Sequence, residues 1–255
     1  FIRNFARETP QELEAAMAKL SEQGMKSLIL DLRLNAGGPL VQCIEIADLF
    51  FPKGTLIVSM KGRNPTYDRE FRAERDGQYE KLPLVVLIDQ GTASASEILS
   101  GAVMDHDRGL IVGEDSWGKG LVQTIFPLAP DAAVALTVAK YLTPSGRSIQ
   151  RDYSQLDDYL LLVKKAPDQS REVKYTDGGR KVLGQGGITP DYKVDSYLKP
   201  FTARLRFGGA FFSTFGGGGG GVGSTFGASS GFATCSTNFT STGCSTTFLL
   251  CWIIA

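Results

Sequence analysis

Histidine is almost missing from this chain. His106 is the only imidazole, so a Ser-His-Asp hydrolytic scheme would have to run through that one residue. A charge imbalance is missing too: 27 basic and 27 acidic side chains cancel, which removes the electrostatic case for a nucleic-acid or anionic-membrane partner. Long apolar runs are lacking. The closing stretch Phe248-Leu249-Leu250-Cys251-Trp252-Ile253-Ile254 falls well short of the ~20 residues of a spanning helix, so no integral membrane span is expected. Cysteine is scarce in the body. Cys43 stands alone in an apolar helical pattern and reads as a small buried residue, whereas Cys235, Cys244 and Cys251 lie near the end, so no disulfide framework is indicated. Charge itself disappears after Arg206, leaving a 49-residue end without a single Asp, Glu, Lys or Arg. The 42% hydrophobic, 21% charged composition of a globular protein therefore describes the first four fifths. The chain starts at Phe1 without a basic-then-apolar leader, and any targeting segment or upstream domain is read as lying outside it.

What is present alternates strand and helix. Thr9-Pro10-Gln11-Glu12 has the form of a helix start, with Thr9 as cap, Pro10 at the first position and Glu12 closing a capping box. Leu13, Met17 and Leu20 repeat at helical spacing up to Gly24. A short strand over 27–32, the turn Asn35-Ala36-Gly37-Gly38, a helix over 39–50 and a strand over 55–60 follow, predicting a parallel strand-helix-strand unit. After a polar loop over 62–81 comes a second unit: the apolar strand 84–88, a helix over 94–105 and a strand at 110–112. From Leu121 the strands 121–126 and 133–138 alternate, as in an antiparallel edge, and Thr143-Pro144-Ser145-Gly146-Arg147 is a turn. The fold class is α/β. Residues 152–181 read as a polar insertion with a weakly helical middle. From Gly216 a Gly/Ser/Thr-rich irregular tail begins; its glycine run lacks the Lys-Ser/Thr pair of a phosphate loop, and Asn238-Phe239-Thr240 reads as a chance match to a glycosylation acceptor.

Two polar residues stand out for chemistry. Ser94 follows a buried strand and a Gly91-Thr92-Ala93 turn, which puts it in the first turn of a helix, where unpaired N–H groups and the helix dipole favour developing negative charge. Lys119, 25 residues later in Ser116-Trp117-Gly118-Lys119-Gly120, can take the serine proton if its surroundings lower its pKa from about 10.4. Trp117 is expected to give it apolar cover. The N–H of Ala95 and the Gly37-Gly38 backbone are candidate donors to an oxyanion. Ser96 and Thr92 compete with Ser94 for the nucleophile role. Each feature alone has an ordinary reading, as cap or turn.

In combination and order, Leu30-Asp31-Leu32-Arg33-Leu34-Asn35-Ala36-Gly37-Gly38, Gly91-Thr92-Ala93-Ser94-Ala95-Ser96-Glu97-Ile98, the stretch from Gly113 to Thr124, Tyr141 to Arg147 and Gly187-Ile188-Thr189-Pro190-Asp191 closely resemble the carboxyl-terminal processing proteases, or tail-specific proteases. The resemblance runs from about Phe1 to Leu198. It implies a crotonase-like core over 1–200, the start of a helical region at 201–215, and 216–255 as a low-complexity tail read as a reading-frame artefact or assembly error. It implies Ser94 as nucleophile, Lys119 as general base and Gln123 as the residue orienting the lysine, although four residues of extended strand separate their Cα atoms by ~13 Å. Asp105, ~16 Å along the helix from Ser94, is read as structural, and His106 as a surface or packing residue. The resemblance further implies no metal or cofactor, protein or peptide substrates with apolar carboxyl-terminal tails, a periplasmic, extracytoplasmic or membrane-associated setting, and compatibility with an oligomer. Family members usually carry a tail-binding PDZ domain before the protease core, whereas here Phe1 already begins that core. The competing expectations are a catalytically silent apolar-ligand or peptide-binding module, and an inactive fragment of a protease.

Overall fold

The computed structural model describes residues 1–152 and 171–194. The tail from 216, its three cysteines, the region 201–215 and the middle of the 152–181 insertion lie outside these residues. Phe1–Gln123, with the described residues from Thr137 onward, forms one compact unit; Thr124–Leu136, the far part of a hairpin, belongs to another.

The elements are α1 (Thr9–Glu22), β1 (Leu28–Asp31), α2 (Leu40–Ala47), β2 (Leu56–Gly62), β3 (Arg69–Arg72), β4 (Leu84–Ile88), α3 (Ala95–Asp105), β5 (Leu110–Gly113), β6 (Leu121–Ala129), β7 (Ala132–Leu142), β8 (Val173–Tyr175), β9 (Lys181–Leu183) and β10 (Tyr192–Lys193). One sheet has the order β1-β4-β5-β10 and a second the order β3-β2-β7-β6, while β8 and β9 form a separate hairpin. The first sheet is parallel throughout its described pairings, and the second pairs antiparallel at β2–β3 and β2–β7. This is a mixed α/β fold.

Several expectations need correcting. The strand after α2 does not return to β1: β1 pairs with β4, Leu28 beside Leu84 and Asp31 beside Leu87, and β2 leaves for the antiparallel sheet. Ser59 and Lys61 give β2 a polar second face, which a parallel sheet covered on both sides does not accommodate. The polar loop over 62–81 is structured as well, since β3 folds back on β2 and Ala73 and Tyr79 are buried. Thr9 also does not cap α1. Glu8 occupies the cap position, and the Thr9 hydroxyl instead accepts from the Ala6 N–H at 3.0 Å and donates to the Asn4 carbonyl at 3.2 Å. Within the polar insertion, residues 173–175 form β8.

Helix α3 is the centre of the unit. All eleven of its residues are buried, so its surface is entirely committed to packing and its ends are held fixed. It packs against α2, β2 and β5, and Leu99, Ala102 and Val103 meet Ile46, Ile57 and Ile111 in the core. Its carboxyl end is clamped by a buried ion pair: Arg147 Nη2 donates to Asp105 Oδ1 at 2.7 Å, with both side chains fully sealed from solvent. Asp105 Oδ2 also accepts from the Ser145 N–H and hydroxyl, while Arg147 Nη1 donates to the Leu183 carbonyl. Asp105 is thus structural. His106 is also a packing residue, its ring edge-on to Phe51 and its nitrogens beside Asp177 and the Leu56 carbonyl. Removing one member of a sealed pair strands the other charge. Arg147→Met is expected to lower unfolding free energy by about 3–5 kcal/mol, with the Asp105→Leu/Arg147→Met double variant recovering part of it in chemical denaturation.

Candidate active site

Three turns meet at the amino end of α3. The turn after β1 is stitched to the turn after β4 by the Thr92 hydroxyl donating to the Leu32 carbonyl at 2.9 Å, the Ala93 N–H to the Asn35 carbonyl at 3.0 Å, and the Ser96 hydroxyl to that same carbonyl at 3.0 Å. These bonds decide between the candidate serines and threonine. Thr92 and Ser96 are fully buried with their hydroxyls spent on the backbone, whereas Ser94 is half-buried. Ser94 also has φ +57° and ψ −117°, a conformation that non-glycine residues rarely take and that sharp strand-to-helix turns impose on exposed nucleophiles.

Gly37 lies directly against this serine. A Cβ built on it would stand 2.9 Å from Ser94 Cβ, 2.9 Å from the Ala95 nitrogen and 2.8 Å from the Ala93 carbonyl oxygen, and its φ is +99°. Gly37→Ala is therefore expected to displace the Ser94 turn, lowering both the thermal midpoint and any activity, with circular dichroism and turnover as the readouts. The two glycines differ in what their N–H groups do. Gly37 donates to Asn35 Oδ1 at 2.9 Å, while neither the Gly38 nor the Ala95 N–H is spent on an acceptor among the described residues. Cys43, buried beneath, points its thiol at the Ala95 carbonyl at 3.2 Å, and burial pushes its pKa up to about 12. It is a packing residue.

The third turn, Ser116 to Gly120, carries Lys119. One buried side chain ties it to Ser94: Glu97. Its Oε2 accepts from the Ser94 N–H at 2.9 Å and the Lys119 N–H at 2.8 Å; its Oε1 accepts from the Gly118 N–H at 2.7 Å and the Ser116 hydroxyl at 2.5 Å. Burial pushes this carboxyl above the usual glutamate range, opposed by those four donors. Ser116 is held in turn by the Ile188 N–H at 2.7 Å, and the Trp117 N–H donates to the Thr92 carbonyl at 2.9 Å. Both turns therefore share one anchor. The sequence motif contains Glu97, but its role went unread there; a glutamate three residues after a serine at a helix start is the capping-box signal that points to it.

The lysine side chain is placed differently from the expectation. Lys119 is exposed, Trp117 does not cover it, and the Arg151 guanidinium lies over the indole at 5.1 Å from the ring centroid. Gln123 is likewise exposed, on β6. Among the described residues no hydrogen bond joins Lys119 Nζ to Ser94 or to Gln123. Glu97 thus ties the backbone of the pair together, with no hydrogen bond between the two side chains. No group of three or more His, Cys, Asp or Glu among the described residues stands close enough to hold a metal ion, and no helix there is long and apolar enough to cross a membrane.

Residues 1–158 match the family model described as peptidase family S41. The chain is 46% identical over 150 residues to a carboxy-terminal-processing protease of Bartonella bacilliformis, covering 57% of this chain and 34% of that protein. It is 35% identical over 196 residues to the carboxy-terminal processing protease CtpA of Bacillus subtilis, covering 72% and 42%. Among solved structures it is similar to a photosystem II D1 C-terminal processing protease, with a TM-score of 0.58 and 32% identity over 76% of this chain and 41% of that one. The chain spans less than half the length of these relatives.

Proposed function

Because the chain belongs to peptidase family S41, we propose that it hydrolyses peptide bonds with Ser94 as nucleophile and Lys119 as general base. The observation that carries this is the single Glu97 carboxylate accepting from the backbone N–H of both residues, which fixes the two turns relative to each other. In the proposed reaction Ser94 Oγ attacks the scissile carbonyl while its proton passes to Lys119 Nζ. The Ala95 and Gly38 N–H groups receive the oxyanion, with Gly37 serving by close approach. The tetrahedral intermediate collapses, the amine leaves with the proton from Lys119, and an ester joins the acyl part to Ser94. Water then attacks that ester, giving a proton to Lys119, which returns it to Ser94 Oγ as the acid is released, restoring the free serine and the neutral lysine. Substrate burying the exposed Lys119 both desolvates the amine and brings it to Ser94, and Gln123 orients it; nucleophile and base are commonly looser before substrate binds.

On this reading the α/β unit is a crotonase-like core, and its substrates are proteins or peptides with apolar carboxyl-terminal tails, in keeping with the names of the carboxyl-terminal processing relatives. A periplasmic, extracytoplasmic or membrane-associated setting, and assembly into an oligomer, are parts of the same proposal. An exposed Lys119 without a hydrogen bond to Ser94 is the observation that a catalytically silent binding module shares. Incubating the purified chain with an unstructured polypeptide ending in small apolar residues separates the two. Peptidase activity yields a shortened product by mass spectrometry, whereas binding without any shortened product overturns the hydrolytic reading.

A further inference from the structure

Leu34 adopts a backbone conformation that leucine rarely takes, with φ at +60°. The left-handed region crowds the Cβ of any non-glycine residue, so something outside the leucine must hold it there. Asp89 does so. Its Oδ1 accepts from the Leu34 N–H at 2.8 Å and from the Gly91 N–H at 2.9 Å, binding the turn after β1 to the turn after β4. That anchor engages only the Leu34 backbone. Leu34 is 53% exposed, so burial in the core does not account for a leucine at this position. The turn itself is served as well by glycine or asparagine, which enter this conformation more readily.

Its surroundings tie the exposed group to the reaction centre. A Cβ built at Gly91 would stand 2.8 Å from Leu34 Cα and 3.0 Å from Leu34 Cδ2, so the leucine lies over a glycine three residues before Ser94. Three residues after Leu34, Gly37 presses against Ser94 itself. Strained residues at such positions persist where the strain serves a site.

We propose that Leu34 is a specificity-determining residue: its isobutyl group forms an apolar wall against a substrate side chain next to the scissile bond and favours an aliphatic residue there. This rests on the peptidase reading of Ser94. The test uses peptide pairs that differ only by Leu or Ser at each position flanking the cut, offered to the unaltered chain, Leu34→Asn and Leu34→Met. Leu34→Asn is expected to raise the thermal midpoint by roughly 2–4 °C through relief of backbone strain. It is also expected to lower kcat/KM about tenfold for the Leu peptide at one flanking position, leave the Ser peptide unchanged, and so erase the preference. Leu34→Met keeps apolar bulk and keeps the preference. If Leu34→Asn retains the selectivity of the unaltered chain, the proposal falls and the peptidase reading stands. If the unaltered chain cleaves no peptide, the peptidase reading falls and takes this proposal with it.

Discussion

Ser94→Ala is expected to lower kcat by roughly 10⁴–10⁶-fold, the range seen when a serine hydrolase loses its nucleophile, while the far-ultraviolet circular dichroism stays that of the unaltered chain. The fold survives because the bond from this residue to Glu97 comes from its backbone N–H, which alanine keeps. Lys119→Ala is expected to fall comparably, and the double variant no further, since two groups acting in one step do not contribute additively. Ser96→Ala has the opposite signature. Its buried hydroxyl donates to the Asn35 carbonyl, so losing it lowers stability by about 1–3 kcal/mol and leaves the nucleophile in place. A fall of 10⁴-fold in Ser96→Ala with Ser94→Ala still active would transfer the nucleophile role to Ser96.

The second large effect belongs to Glu97→Gln. The carboxylate presents only acceptor atoms, and all four of its partners donate: the N–H groups of Ser94, Gly118 and Lys119 and the Ser116 hydroxyl. A glutamine of the same shape turns one oxygen into an NH₂, which faces donors whichever way the amide is rotated. At least one buried N–H loses its acceptor, at a cost of about 1–3 kcal/mol in stability. Either way the turn carrying Lys119 loses at least one of its bonds to this residue, and misplacement on the scale of 1 Å is expected to lower kcat ~10²-fold. KM should change far less, because Glu97 is fully buried and touches no substrate. A KM effect with normal kcat would contradict this assignment.

Acid should act on the same residue. Burial raises the Glu97 carboxyl above its ordinary value of 4.5, so on acidification it takes up a proton earlier than an exposed glutamate does. The sign for stability is opposite to that for activity. With a raised folded value, the native state holds more protons than the unfolded chain between the two values, so the Glu97 contribution to stability is present at low pH and lost as pH rises through the folded value. Acidification therefore disarms the anchor without this residue unfolding the chain. Turnover should fall above the usual glutamate range while circular dichroism remains native; simultaneous loss of both would point to global acid unfolding instead.

Much of the site was legible because its signals are local. β4 is an unbroken run from Leu84 to Ile88, the small residues from Gly91 to Ala95 announce a tight strand-to-helix turn, and eleven helical residues place Asp105 too far along α3 to touch the nucleophile. Pairing across the chain was not legible. Nothing within Leu56–Gly62 states that its partners are Arg69–Arg72 and β7 rather than β1, because strand register is settled by the faces that meet after folding. β3 itself, Arg-Glu-Phe-Arg, has one apolar residue and no periodic signal. The surroundings of the lysine side chain were not legible for a related reason. A tryptophan two residues away can cover Lys119 only if its ring turns that way, and Arg151, distant in sequence, occupies the face instead.

The most direct test of the account is to quench the chain in acid during cleavage of an apolar-tailed peptide and map the adduct by mass spectrometry. An acyl group esterified to Ser94, absent in Ser94→Ala, is the expected result. Cleavage that proceeds with an acyl group on Ser96 or another residue would contradict it.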